Sequence, residues 1–171
     1  TPLYSSAASD VYKRQEYTAF YKTKIGIISI SYDEKVRKVG LVEDIKGENN
    51  TNSLTDKLIS EINEYLTENR KSFDIYDQIK LKGTEFQIKV WEEIRNIPYG
   101  ETRTYKEIAQ AIEKPKAIRA VASAIGKNPI MIIIPCHRVI GSDGKMHGYA
   151  YGLDIKKRLL EIEKSSCNKM N

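Results

Sequence analysis

The first third of the chain alternates apolar and polar residues, which is the spacing of strands with one buried face. Residues 25 to 32 and 36 to 42 alternate in this way and are rich in β-branched side chains. Asp33 and Glu34 lie between them and favour a turn, and residues 17 to 22 form a third candidate strand. Three short strands in succession predict an antiparallel meander.

Helical spacing begins after a polar loop at residues 47 to 53. Ser53 can cap a helix that runs to about residue 66. The apolar face of this helix consists of Leu54, Leu58, Ile59, Ile62 and Leu66. Residues 73 to 81 then form a linker with room for a short strand. Strands followed by a helix predict a small α+β domain.

Three more helices are predicted in the second half of the chain. Thr84 and Gln87 have the spacing of a capping box at the start of the first helix. The apolar residues of that helix are Phe86, Val90, Trp91 and Ile94. Residues 103 to 112 form the next helix and residues 116 to 125 the third, which Gly126 closes. Two short helices joined by a tight turn and followed by a strand pair predict a winged helix-turn-helix.

A thiol follows the most apolar run of the chain. Residues 130 to 134 are rich in isoleucine and predict a short buried strand, which Pro135 ends because proline has no N–H to give to a sheet. Cys136 then stands beside His137 and Arg138. A neighbouring base or cation activates a thiol, whereas apolar burial alone makes it inert. A buried structural cysteine is the alternative interpretation, since free cysteine is among the most buried residue types.

The segment around this cysteine, IPCHRVI, resembles the active-site signature of the O6-alkylguanine-DNA alkyltransferases, also called methylated-DNA–protein-cysteine methyltransferases. Other segments resemble parts of that family in the same order. They are GTEFQIKVWEEIRNIPYG at 83 to 100, ETRTYKEIAQAI at 101 to 112, KAIRAVASAIGKN at 116 to 128 and GYAYGL at 148 to 153. Several motifs in one order are far more specific than a Cys-His pair alone.

The resemblance implies an α+β fold with two domains. Residues 16 to 78 would form a small N-terminal RNase H-like α/β domain without an active site of its own. Residues 79 to 164 would form a winged helix-turn-helix DNA-binding domain that carries the alkyltransferase site. Residues 1 to 15 are interpreted as an extraneous or disordered leader, because SSAAS has low complexity, and residues 165 to 171 as a disordered tail.

The helix at residues 116 to 125 has a face of small residues, among them Ala117 and Ala120. The residues alone leave open that this face packs on neighbouring helices while Arg119 is solvated. In the family this helix enters the minor groove of DNA, where small residues allow close approach. Arg119 matches an arginine that fills the space left by an extruded nucleotide. Tyr105 matches a tyrosine that crowds the target phosphate and contacts the flipped base.

The resemblance also implies a displacement at carbon. The Cys136 thiolate would attack the alkyl group on guanine O6, chiefly the methyl of O6-methylguanine, and unmodified guanine would leave. O4-methylthymine is a second candidate substrate. The family uses a cysteine–water–histidine–glutamate relay, to which Cys136, His137 and Glu163 correspond, and Asn128 takes the hinge position that orients the thiol. Because the thioether has no release route, one transfer per molecule is expected.

Further contacts with substrate or DNA are expected from Arg138, Val139, Tyr149 and Ala150. Neighbouring residues of an extended chain point in opposite directions, so we expect a water molecule to bridge Cys136 and His137. The last helix is predicted to run from about residue 153 to 164 and to carry Glu163. Four positions depart from the residues usual in the family, and they leave the alkyl-group preference open. They are Ala122, His147, Ala150 and Tyr151.

Charge and composition point to a partner but to no cofactor. The formal net charge is +5, with −2 over residues 1 to 78, +5 over residues 79 to 163 and +2 from the tail. The half with the motif therefore fits a polyanion, here double-stranded DNA that bears alkylated guanine. No Cys or His pair has zinc-site spacing, so no metal or other cofactor is expected. With no apolar run long enough for a membrane span and no disulfide framework, we expect a monomer in the cytoplasm.

Three rival functions stay open at this point. A module that binds alkylated DNA without reacting is one, and Cys136 argues against it. A cysteine hydrolase is another, although hydrolases usually bring Cys and His from distant positions. A helix-turn-helix regulator is the third, although the N-terminal half has no recognisable ligand site.

Overall fold

Three antiparallel strands form the N-terminal sheet in the computed structural model, which describes residues 15 to 169. They are β1 (Tyr17–Thr23), β2 (Gly26–Tyr32) and β3 (Val36–Val42), in the order β1-β2-β3. The predicted meander is confirmed. Apart from Gln15, the leader predicted at residues 1 to 15 lies outside the described residues.

Helix α1 (Ser53–Leu66) follows the sheet and buries an apolar stripe that includes Leu58, Ile62 and Tyr65. The predicted cap was wrong by one residue, since Asn52 is the cap. Its side-chain oxygen accepts the Thr55 amide hydrogen at 2.9 Å, and the Thr55 hydroxyl accepts the Asn52 amide hydrogen at 2.9 Å. Asparagine caps a helix as well as serine does, and here it completes a capping box.

The second half contains α2 (Glu85–Arg95), α3 (Tyr105–Ala111), α4 (Ile118–Gly126) and α5 (Leu153–Asn168). The capping box of Thr84 and Gln87 is confirmed at the start of α2. Helices α2, α3 and α4 pack on one another. The indole of Trp91 in α2 is buried and donates to the Ala124 carbonyl of α4 at 2.8 Å, which fixes these two helices against each other.

The strand predicted at residues 130 to 134 is wrong. Only Ile130 forms a bridge, to Val39 of β3, and the chain then turns, with Ile132 in the left-handed region at a φ of 70°. All five residues are nevertheless at most 2% exposed. An unbroken apolar run indicates burial without specifying which backbone conformation is buried.

The expected strand pair also differs from the prediction. Strands β4 (Arg103–Thr104) and β5 (Val139–Ile140) have two residues each and run parallel. Strand β4 precedes α3 rather than following α4, so the pair joins the start of α3 to the segment after Cys136.

Helix α5 continues to Asn168, so the tail predicted to be disordered from residue 165 is helical over its first four residues. Ser166 is buried there, and the Lys169 ammonium pairs with Glu68 at 2.6 Å. Cys167 lies against Gly100: a Cβ added to Gly100 would be 2.6 Å from the Cys167 sulfur. Tertiary contacts therefore extend the helix beyond the region where its sequence is apolar. Among residues 15 to 169, none of the helices combines the length and apolar character needed to cross a bilayer.

Replacing Trp91 should loosen the packing of α2 on α4. We expect Trp91→Phe to lower the free energy of unfolding by about 1–3 kcal/mol, because it removes a buried hydrogen bond and leaves a small cavity. Urea unfolding followed by circular dichroism measures this loss. The matched control is Lys89→Ala, an exposed position of the same helix, which should change stability by less than about 0.5 kcal/mol. Equal stabilities for wild type and Trp91→Phe would contradict the assignment.

Candidate active site

A cavity of about 450 Å³ lies between α4 and the loop at residues 147 to 151. This size is typical of small-molecule sites. Its wall includes Tyr105, Arg119, Asn128, Cys136, Tyr149 and Ala150. Six of the site residues expected from the resemblance therefore meet around one cavity.

Cys136 begins a short 3₁₀ turn, Cys136–Arg138, so the extended conformation expected there is wrong. The Asn128 amide holds this turn in place. It donates to the Ile134 carbonyl at 2.8 Å and to the Cys136 sulfur at 3.1 Å, and its oxygen accepts the Ile130 amide hydrogen at 2.9 Å. Asn128 thus ties both ends of the apolar segment to the thiol.

The Cys136 thiol is 6% exposed. Burial raises its pKa, while the hydrogen bond from Asn128 and the charge of Lys156 act in the opposite direction. The resting residue is therefore a thiol at neutral pH. It needs a base to become a nucleophile.

His137 is completely buried, and its two ring nitrogens have different surroundings. Nε2 lies 2.8 Å from Glu163 Oε1, whereas Nδ1 has no hydrogen-bond partner among the described residues. An ionised carboxylate can only accept, so Nε2 carries the proton and Nδ1 presents a lone pair. Burial lowers the pKa of His137, although the Glu163 carboxylate partly offsets this. The ring is thus a neutral base whose lone pair is on Nδ1.

The Glu163 carboxylate is 1% exposed and accepts hydrogen bonds from several parts of the chain. Its Oε1 accepts from Tyr65 at 2.7 Å, and its Oε2 accepts the Gly100 amide hydrogen at 3.1 Å. Arg138 donates to both oxygens at 2.9 to 3.0 Å. Burial alone would raise the pKa of Glu163, but the bonds from His137 and Arg138 lower it to about 2.

Arg138 requires a correction, because it was expected to contact substrate or DNA. Its side chain is 7% exposed and is bound on one side by Glu163 and on the other by the Ile97 carbonyl at 2.7 Å. A buried, paired guanidinium is not available to a phosphate. The sequence did not reveal this, since Glu163 lies 25 residues further along the chain.

Lys156 was not identified from the sequence. It is 1% exposed, and its ammonium donates to the Val139 carbonyl at 2.6 Å. Val139 was expected to line the base pocket, but it does not contribute to the cavity wall. Burial lowers the pKa of Lys156, and its interaction with Cys136 partly offsets this. Helical spacing was the available signal for this burial. Lys156 lies three positions before Leu159 and seven before Glu163, so all three share the buried face of α5.

Of the four residues expected to meet DNA, Tyr105 and Arg119 line the cavity. Arg119 is exposed on α4 and lines the opening, and Tyr105 donates to the His147 carbonyl at 2.9 Å, which joins α3 to the loop. Ala120 is exposed on α4, and Ala117 is the residue before its first turn. Neither alanine lines the cavity. Ile118, which is 39% exposed, does so and was not singled out in the sequence.

No group of three metal-ligating side chains comes together within residues 15 to 169. His147 lines the cavity, and its Nε2 lies 2.9 Å from an Asp143 carboxylate oxygen.

The buried network should make stability depend on pH. The pKa of Glu163 falls from 4.5 to about 2 on folding, and the pKa of His137 falls below 6.5. The unfolded chain then binds more protons than the folded one, so stability declines as the pH falls below 6.5 and declines further between 4.5 and 2. Glu163 alone should account for roughly 3 kcal/mol. Urea unfolding at several pH values measures the slope.

Two variants check the origin of this pH dependence. Glu163→Gln should be less stable at neutral pH, and its stability should no longer decline steeply as the pH falls below 4.5. Glu161→Gln, which changes an exposed carboxylate of the same helix, should keep the wild-type slope. A Glu163→Gln protein with an unchanged slope would show that other carboxylates cause acid unfolding.

Sequence comparisons support one family. A family model described as the DNA-binding domain of 6-O-methylguanine DNA methyltransferase matches residues 85 to 165. The methylated-DNA–protein-cysteine methyltransferase of Methanosarcina acetivorans is 44% identical over 161 residues, which cover 88% of this chain and 99% of that protein. The protein of the same name from Methanosarcina barkeri is 58% identical over 102 residues, which cover 60% of this chain and 63% of that protein.

A solved structure agrees with these matches. The crystal structure of Mycobacterium tuberculosis OGT in complex with DNA superimposes with a TM-score of 0.80 at 38% identity, over 87% of this chain and 93% of that one. The mixed α+β fold expected from the sequence is confirmed. The chain belongs to the methylated-DNA–protein-cysteine methyltransferase family.

Proposed function

We propose that the protein repairs DNA by transferring the alkyl group of O6-alkylguanine to Cys136 in a reaction that each molecule performs once. The observation that carries this function is a thiol in the wall of a base-sized cavity, one residue from a neutral histidine whose Nδ1 has no hydrogen-bond partner among residues 15 to 169. O6-methylguanine is the principal substrate proposed. The protein is thus a methylated-DNA–protein-cysteine methyltransferase.

The reaction begins with proton transfer from the Cys136 thiol to His137 Nδ1 through a water molecule. Glu163, bound to Nε2, stabilises the imidazolium that forms. The thiolate then forms a bond to the alkyl carbon, and the carbon–O6 bond breaks with its electron pair. Guanine leaves with that pair and takes up a proton. The thioether that remains is stable, so the molecule does not return to its starting state.

In the proposed reaction Asn128 would stabilise the Cys136 thiolate, and Tyr149 would contact the purine. Asn128 donates to the sulfur, which favours the thiolate once it forms. Tyr149 lines the cavity and packs edge-on against Tyr151, with ring centroids 5.7 Å apart. We propose that Tyr149 and the backbone of Ala150 contact the purine. The width left beside Tyr151 would then limit the size of the alkyl group.

DNA would bind across the mouth of the cavity. In our proposal α3 and α4 form the helix-turn-helix unit of a winged DNA-binding domain at residues 79 to 164, and residues 16 to 78 form an RNase H-like domain. Arg119 at the cavity opening would occupy the space of the extruded nucleotide. Ala117 and Ala120 would allow the minor-groove backbone to come close, and Tyr105 would face the target phosphate.

The compartment follows from the same chemistry. A reaction that consumes a free thiol needs a reducing compartment, so we propose that the protein acts in the cytoplasm. We propose separately that it acts as a monomer. Double-stranded DNA with an alkylated guanine is the proposed partner. A binding module without chemistry has no use for Cys136 and its relay.

Stoichiometric transfer is the first test of this function. Incubation with a duplex that contains O6-methylguanine should add one methyl group to the peptide bearing Cys136, and the reaction should stop after one equivalent. Mass spectrometry of the intact protein and its peptides measures this. Cys136→Ala should still bind DNA but transfer nothing, while Cys167→Ser should react like wild type. A label on Cys167, or steady turnover, would contradict the proposal.

Base extrusion is the second test. Arg119→Ala should slow transfer from duplex DNA by about tenfold to a hundredfold, because unstacking a base costs a few kcal/mol that the arginine would offset. Transfer from free O6-benzylguanine, which needs no extrusion, should change little. Single-turnover rates on both substrates measure the difference.

The matched control for Arg119 is Lys127→Ala, an exposed cation at the other end of α4. It should weaken duplex binding without a selective loss of transfer, and both proteins should bind less tightly as salt rises. Equal losses of Arg119→Ala on duplex and free base would show that this side chain supports the fold.

A further inference from the structure

Tyr65 belongs to α1, in the N-terminal half of the chain, yet its hydroxyl reaches the reactive centre. It donates to Glu163 Oε1 at 2.7 Å and lies 3.2 Å from His137 Nε2. These contacts join residues that are 98 and 72 positions apart in the sequence. The side chain is completely buried. The half without a reactive residue therefore supplies a hydrogen bond to the carboxylate of the relay.

The ring of Tyr65 is held by its neighbours, which gives its hydroxyl a fixed direction. Phe73 packs against it at 5.7 Å between centroids, and Tyr99 packs edge-on at 6.0 Å. Burial and the charge of Glu163 raise the pKa of Tyr65 well above 10, so the phenol keeps its proton and acts as a donor. A phenylalanine would fill the same space without the donor.

The charges around His137 come from several elements. Glu163 favours the imidazolium, whereas Arg138 and Lys156 oppose it, and the hydroxyl of Tyr65 approaches from α1. Cys136 precedes His137 in the chain, and Tyr99 lies beyond the Tyr65 ring. Each donor on Glu163 Oε1 takes up part of its negative charge. The hydroxyl of Tyr65 therefore weakens the attraction of that oxygen for a proton on the imidazole.

We infer that Tyr65 is a positioning residue of the relay: its hydrogen bond fixes Glu163 Oε1 opposite His137 Nε2 and reduces the charge of that oxygen, so that His137 rests as a neutral base. The inference deepens the proposed alkyl transfer and rests on it. It assigns the N-terminal half a part in the chemistry through a single hydroxyl group.

Tyr65→Phe tests this inference because it removes the hydroxyl and keeps the ring. The freed Glu163 oxygen should raise the pKa of His137, on the order of one pH unit. A protonated imidazole cannot accept the thiol proton, so the rate of transfer falls at low pH. For free O6-benzylguanine this fall, the acid limb of the pH–rate profile, should move to higher pH by a similar amount. Nitrogen-15 NMR of the imidazole measures the pKa directly, without any reaction.

The matched control is Tyr32→Phe, which removes another buried tyrosine hydroxyl from the same half of the chain, one that donates to the Asn50 carbonyl at 2.7 Å. It should lower stability without moving the acid limb. As a second variant, 3-fluorotyrosine at position 65 keeps the shape of the side chain and makes its hydroxyl a stronger hydrogen-bond donor. It should move the acid limb and the imidazole pKa to lower pH, and it keeps the test valid if Tyr65→Phe does not fold.

The inference is overturned if folded Tyr65→Phe has the wild-type imidazole pKa and acid limb, or if Tyr32→Phe shifts them equally. Absence of transfer by the wild-type protein would instead refute the proposed function. The NMR measurement on the same proteins would still decide the role of Tyr65 in that case.

Discussion

The buried carboxylate of Glu163 is the constraint on which the arrangement of the site depends. A charge removed from water costs several kcal/mol unless it is paired and fully hydrogen-bonded. Glu163 meets this requirement only when α5, the turn at Cys136–Arg138, the backbone of Gly100 and α1 come together. Both halves of the chain must therefore be in place before the proposed relay has its geometry.

Opposing charges around His137 explain how a histidine bound to a carboxylate can still rest as a base. A lone carboxylate would favour the imidazolium, which cannot accept a proton. Burial lowers the pKa of His137, and the charge of Arg138, which lies against the same carboxylate, acts in the same direction. The imidazolium is then disfavoured at rest, but in the proposed mechanism Glu163 is its immediate partner when it forms.

The reactivity of the Cys136 thiol depends on how the sulfur is held, more than on its exposure. Asn128 holds the sulfur and the ends of the preceding apolar turn, so Cys136 faces the cavity from a rigid wall. Its raised pKa keeps it protonated at rest, and in the proposed mechanism the relay removes that proton. Such a thiol is protected from unspecific oxidation, since the thiolate is the reactive form.

The sequence by itself determined the elements whose periodicity is local. Alternating residues predicted the three strands, Thr84 and Gln87 predicted their capping box, and IPCHRVI with its ordered neighbours predicted the family. These signals depend on residues close to one another along the chain, where backbone geometry sets the spacing.

The tertiary structure alone decided which polar side chains are buried and what they bind. Residues 130 to 134 are apolar throughout, so their sequence could not distinguish a strand from the turn that Asn128 holds. Arg138 was expected to contact substrate or DNA, and Tyr65 was not singled out in the sequence, because the partner of both is Glu163 in the last helix. The free energy of a buried charge depends on neighbours that the fold brings from distant positions, and a local sequence pattern does not contain them.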